Sequence, residues 1–163
     1  LHTHDGVDSE PVKYTDITGL PVIPTLPVTS EVEVFRVENQ NANNAGWTGI
    51  GFTQTVVANG SALSVSPTNN GIVINTAGRY LIHAAASISP NTVGRRGITV
   101  HTGSPASFTP QLIMPALPSG GPGLVFSTIY NCSPGAQYTV YLFQDSGATL
   151  LASNVRFSMY LLY

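Results

Sequence analysis

Charged side chains are scarce in this chain. Asp, Glu, Lys and Arg make up 9% of its 163 residues, against roughly 25% in an average soluble protein. A nucleic-acid groove needs a dense basic stripe. Six Lys and Arg in the whole chain do not supply one, so nucleic acid is not an expected partner. Cysteine occurs once, as Cys132. This excludes an intrachain disulfide framework and a Cys-rich zinc module. A lone Cys in the Tyr130–Ser133 stretch reads as a small buried hydrophobe rather than a nucleophile. No apolar run reaches the roughly 18 residues of a membrane-crossing helix, so membrane insertion is not expected. The acidic N-terminus lacks the apolar stretch of a signal peptide. Because it begins at Leu1 rather than Met, the chain is expected to be processed or part of something longer.

Hydrophobic residues make up 42% of the chain, enough to bury a core at this length. With so little charge, the polar surface must come from Ser, Thr, Asn, Gln and backbone. Such surfaces suit tightly packed assemblies and steer charged partners weakly. The few charges are also unevenly placed. Residues 1–38 hold seven of the eight acids against Lys13 and Arg36, whereas residues 39–163 hold Asp145 against Arg79, Arg95, Arg96 and Arg156.

Two regions separate by composition. Residues 1–30 are acidic and then punctuated by Pro11, Pro21, Pro24 and Pro27. Proline lacks the backbone donor and restricts its neighbour, so Leu20–Val28 can be neither helix nor central strand. It is expected to run extended, and its apolar Leu20, Val22, Ile23, Leu26 and Val28 favour an arm docked on another surface. From residue 31 to 163 nothing reads as a helix. Short β-branched and aromatic runs alternate with Gly, Pro and Asn turns, which predicts one all-β sandwich or barrel of about eight to ten antiparallel strands. The predicted strands include 31–37, 50–57, 62–65, 71–75, 78–88, 97–101, 111–114, 123–131, 137–144 and 154–162.

Two of these strands are apolar on both faces. In Gln137–Gln144, Tyr138, Val140 and Leu142 alternate with Thr139, Tyr141 and Phe143; near the C-terminus Val155, Phe157, Met159 and Leu161 alternate with Tyr160 and Leu162. A sandwich buries one face of each strand, so a second apolar face calls for a second buried surface, most simply a subunit interface. Tyrosine suits such an interface because it joins apolar area to a hydroxyl that can find a partner. The candidates are Tyr80, Tyr130, Tyr138, Tyr141, Tyr160 and Tyr163.

Two segments carry resemblances. Gly71–Ile88 (GIVINTAGRYLIHAAASI) is similar to the C1q/TNF-like signature in which a turn Gly and an aromatic open a long strand, and Ser153–Tyr163 (SNVRFSMYLLY) resembles that family's last strand. The resemblance implies a C1q/TNF-like jelly roll, usually a trimer about a three-fold axis. The low charge and the absence of a collagen-like run depart from animal members. The N-terminal HTHDGVDSEPVKYTDITGL resembles an HxHDG element of bacteriophage tail and fibre proteins, matching at His2, His4, Asp5, Gly6, Asp8, Ser9, Val12, Tyr14, Asp16, Ile17 and Gly19. Together these resemblances imply a virion protein whose residues 1–30 attach to other virion proteins while a jelly roll of residues 31–163 projects outward.

Candidate chemistry is sparse. His2 and His4 share a side of an extended chain, and three chains on an axis would offer six imidazoles to a transition metal; the plainer reading is a solvated chain end. Catalysis is not expected. No G-x-S-x-G or H-E-x-x-H motif occurs, and Asp145 alone cannot form the carboxylate pair of a glycosidase. Gln40–Trp47 is rich in amides and ends in the single Trp, which suits saccharide recognition through Asn43, Asn44 and Trp47; the plainer reading is an Asn-rich turn with Trp47 in the core. Arg95 and Arg96 are candidates for an anionic glycan or for a neighbouring subunit's carboxylates. The expected function is a homotrimeric phage head fibre, decoration or tail-associated protein on the virion surface. The rival is a receptor-binding module for a host cell-surface saccharide. A bacterial surface or spore-coat C1q-like protein fits the sandwich but not the HxHDG element.

Overall fold

The computed structural model describes residues 30–103, 112–116 and 123–163. The predicted N-terminal arm, with His2 and His4, lies outside the described residues. Among those described there are twelve strands and no helix: β1 (Glu31–Arg36), β2 (Gln40–Ala42), β3 (Gly46–Gly49), β4 (Gln54–Asn59), β5 (Leu63–Val65), β6 (Ile72–Ile74), β7 (Gly78–Ile88), β8 (Arg95–Thr102), β9 (Leu112–Pro115), β10 (Gly123–Cys132), β11 (Gln137–Gln144) and β12 (Leu150–Leu161). Sheet A has the order β10-β7-β12-β1-β4, with β2 also on β12. Sheet B has the order β5-β6-β11-β8-β9, with β3 also on β11. Every pairing is antiparallel. The chain passes back and forth between the sheets, and the result is a C1q/TNF-like jelly roll, as the sequence predicts.

Alternation builds the core. Tyr80, Ile82, Ala84, Ala86 and Ile88 of β7 point inward and are buried, as are Ile98 and Val100 of β8 and Val140 and Leu142 of β11. Along β12 the inward parity switches. Leu150 and Ala152 are buried, then Val155, Phe157 and Met159, so one extra residue must be absorbed between them. The register with β7 shifts between Ser153 and Arg156, and Asn154 there adopts a positive φ of 50°. This is a β-bulge, with Asn tolerating the left-handed region better than a β-branched residue would.

The predicted strand 50–57 is displaced. Residues 50–53 cross from one sheet to the other: Ile50 N donates to Val140 O in sheet B and Thr53 N to Phe35 O in sheet A. Ile50 and Phe52 close the end of the core on the way, and the ladder with β1 begins only at Gln54. The predicted loop 40–47 instead contains β2 and the first half of β3, whose short polar and Gly-containing sequences give little strand signal.

Phe157 is fully buried and its ring centroid lies 6.0 Å from that of Phe52. Phe157→Ala is expected to cost about 3–5 kcal/mol of stability, read from the urea midpoint at an unchanged slope. A loss below about 1 kcal/mol would contradict this packing.

Candidate functional site

The outer face of sheet A carries the first candidate surface. Register places Val125 opposite Ala85, Ser127 opposite His83 and Ile129 opposite Leu81, and continues the last two rows to Ser158 and Tyr160. Val125 and Ile129 are 55% and 46% exposed. β10 forms the edge of the sheet, paired with β7 and with no second strand among the described residues. Its ten residues, GLVFSTIYNC, include no charge and no proline. Proteins usually guard such an edge with charge, proline or a cover, because its free backbone groups template pairing. The same face also carries charge: Arg156 of the central strand β12 stands opposite Ala85, and Glu33 and Glu31 of β1 stand opposite Ser158 and Tyr160. Glu33 pairs with Arg156 at 3.4 Å, Arg156 lies over the Phe35 ring at 4.8 Å, and Arg79 meets the Tyr163 hydroxyl and ring. In the middle, His83 Nδ1 is 2.7 Å from Ser127 Oγ.

The predicted interface tyrosines do not share one surface. Tyr80 is a correction: its side chain is wholly buried in the core, where the hydroxyl donates to Thr76 O at 2.7 Å. The parity of β7 turns it inward. Tyr141 lies on the outer face of sheet B and donates to Gly103 O at 2.6 Å. Tyr138 stands at an open side of the sandwich, its ring stacked on Tyr130 at 6.5 Å. These two rings with Val100, His101, Thr102 and Asn131 line a cavity of about 280 Å³ that the sequence pattern does not reveal. Burial and the neighbouring Cys132 thiol push the Tyr138 phenol above its ordinary pKa, and burial likewise raises Cys132. Only Tyr160 and Tyr163 border the outer face of sheet A.

The second candidate region is the loop end near Asn43. Asn44 Oδ1 accepts from Gly147 N at 2.8 Å, and Asn43 N donates to Thr48 Oγ1 at 2.9 Å. Ala45, at φ 56°, donates its N–H to Gln144 O at 2.8 Å. These bonds make the segment a built turn. Beneath it, fully buried Gln144 donates to Ala42 O at 3.0 Å and Ala148 O at 2.6 Å, and accepts from Ser146 N and Oγ. Trp47 is half-buried and packs outside the core, 5.3 Å from the Phe143 ring.

The two arginines part company. Arg95 and Arg96 are adjacent in a strand and so face opposite ways. Arg95 is exposed and pairs with the chain's own Asp145, Nη2 to Oδ2, at 2.7 Å. Arg96 is a correction, because it points inward and is completely buried, and no glycan or neighbouring subunit can reach it. It donates to Arg95 O at 2.8 Å and Asn91 O at 3.4 Å, while its Nε finds no partner. Burial pulls its pKa down, against the opposing pull of Asp145. Among the described residues no three His, Cys, Asp or Glu come together as a metal site; no helix there is long and apolar enough to cross a membrane.

Comparison with known proteins bears on the fold. No protein-family model and no curated protein matches the sequence. Among solved structures, murine APRIL at pH 5.0 matches at a TM-score of 0.62 and 13% identity over 82% of this chain and 99% of that one. PRD1 vertex protein P5 matches at 0.56 and 16% identity over 83% and 99%. The globular domain of zebrafish complement 1qA protein matches at 0.51 and 17% over 82% and 98%. At these identities the likeness is one of fold, and none of the three bears an enzyme's name.

Asp145 gives this end of the molecule a pH signature. The Arg95 backbone N–H, more than its guanidinium, holds the carboxyl below its ordinary range. The folded pKa is therefore depressed. The stability it brings is present above the unfolded value of about 3.9 and is lost as pH falls through the lower folded value. Asp145→Asn is expected to flatten the acid limb of a stability–pH curve measured by urea unfolding. An unchanged limb would contradict the pairing.

Proposed function

We propose that this chain is a homotrimeric structural protein of a phage virion, attached to other virion proteins through residues 1–30 and projecting its jelly roll outward. The observation that carries the assembly is the outer face of sheet A. It exposes Val125 and Ile129 on an edge strand with no charged residue, and water-exposed apolar surface beside an unguarded edge favours burial against another chain. A second copy of this chain is the simplest cover, since it brings the same exposed Val125 and Ile129 on β10. Two facts favour a virion setting. The HxHDG segment resembles elements of phage tail and fibre proteins, and the fold is shared with a protein named as a phage vertex component. On this reading His2 and His4 of three chains would supply the six nitrogen ligands for a transition metal, were one held there.

A second reading, a receptor-binding module for a cell-surface saccharide, is favoured by one specific feature. Trp47 and Phe143 lie together on the outer face of sheet B, away from the surface assigned to assembly.

Two experiments test the main reading. Immunogold labelling with antibodies against the sandwich is expected to decorate intact phage particles; label confined to lysate and absent from particles would overturn the virion assignment. A Val125→Arg/Ile129→Arg double variant should sediment as single chains while keeping its far-UV circular dichroism. Should it sediment like the unaltered protein, this face is not the interface.

A further inference from the structure

His83 occupies the middle of the outer face of sheet A. On β7 it stands between Ser127 of β10 and Ser158 of β12, and the row runs on to Glu33 of β1. Its Nδ1 lies 2.7 Å from Ser127 Oγ. The rows on either side set Val125 opposite Ala85 and Ile129 opposite Leu81. The imidazole is thus placed among hydroxyls and apolar side chains, and it is only half-buried in the single chain. A second copy laid over Val125 and Ile129 also covers the row between them.

The charged groups around this row are already engaged. β10 has no charged residue, and its Tyr130 and Cys132 face inward. From β12, Arg156 meets Glu33 of β1 and lies over the Phe35 ring. Glu31 Oε1 accepts from Asn59 Nδ2 at 3.1 Å, and on β7 itself Arg79 meets the Tyr163 hydroxyl. Tyr160 of β12 is the other titratable group beside the row. Glu31 and Glu33 balance Arg79 and Arg156 while His83 is neutral. A proton on His83 adds a positive charge, and the one acid in its row, Glu33, is held by Arg156. Taking an unpaired cation out of water costs far more than taking a neutral ring, and histidine ordinarily changes charge between pH 5 and 8.

We propose that His83 makes assembly through sheet A sensitive to pH: the copies associate with His83 neutral and separate when it is protonated. The inference rests on the assembly reading and adds its control. The sign follows from linkage. The separated chain, with its imidazole open to water, takes up a proton more readily than the covered one. Association therefore strengthens as pH rises through the histidine range and weakens as pH falls. A symmetric trimer covers His83 in each copy, so the dependence is that of several protons rather than one.

The test follows the mass of the full chain by light scattering on dilution, at several values between about pH 8 and pH 5. Far-UV circular dichroism at each pH separates dissociation from unfolding. His83→Asn and His83→Gln, which keep a polar group near Ser127 but cannot take up a proton, are measured beside it. The unaltered chain is expected to hold its trimer mass near the upper end, with an association constant that falls about tenfold or more per pH unit on acidification. Both variants should keep the trimer mass throughout. A dilution profile that is the same at every pH, or variants that dissociate in step with the unaltered chain, would overturn the role of His83 while sparing the assembly. Variants that are single chains even at the upper end would overturn it too, because the side chain would then be needed for more than its charge. A trimer that tightens on acidification would overturn the sign and set a partner carboxylate against the ring. A single-chain mass at every pH would overturn the assembly reading itself.

Discussion

A β-strand has two sides, and packing two sheets together buries only one of them. In an ordinary sandwich the other side is made polar and charged, but here charged residues are too few to do that work. On sheet A, Val125, Ile129, Leu81, Ala85 and Tyr160 share the outer face with Glu31, Glu33, Arg79 and Arg156, and on sheet B the outer face holds Trp47, Phe143 and Tyr141. Apolar area left in water costs about 25 cal/mol per Å² relative to burial, so each such patch is a standing driving force for contact. The architecture outside the core follows from which contact each face makes.

The two faces differ in what they offer. On sheet A the apolar residues run to β10, which pairs with β7 alone among the described residues, so that side chains and backbone groups can be covered together, and this combination fits another polypeptide. On sheet B, Trp47 and Phe143 lie beside the Arg95–Asp145 ion pair and a turn whose polar groups are tied down by Asn44, Thr48 and Gln144. The buried Gln144 amide, bonded to Ala42 of sheet A and to the 146–148 turn, ties that end together. The two outer faces of this β-rich chain are thus built differently.

Much of this was legible in the residues. Long alternating runs such as Gly78–Ile88 and Gln137–Gln144 give their strands almost to the residue, because period-two burial is written directly in the side chains. The two-faced character of β11 and β12 was also legible, but not that their outer sides belong to opposite sheets, since pairing order is a tertiary property. That is why one list of tyrosines divided between the core, the open side of the sandwich and both outer faces. Tyr80 reads as an interface residue only until the parity of β7 is known. Arg95 and Arg96 look alike in sequence, yet adjacent strand positions send one to Asp145 at the surface and the other into the interior. The β2 and β3 strands, three and four residues of Gln, Asn, Ala, Gly, Trp and Thr, owe their existence to partners on β12 and β11 rather than to local preference.

The central claim is that further copies of the same chain cover the outer face of sheet A. Static light scattering of the unaltered chain, across a dilution series at constant salt, measures this most directly. Each chain weighs 17.1 kDa, and the expected result is a mass of three chains that persists on dilution. A single-chain mass at every concentration would contradict the claim and leave the exposed edge of β10 without its proposed cover.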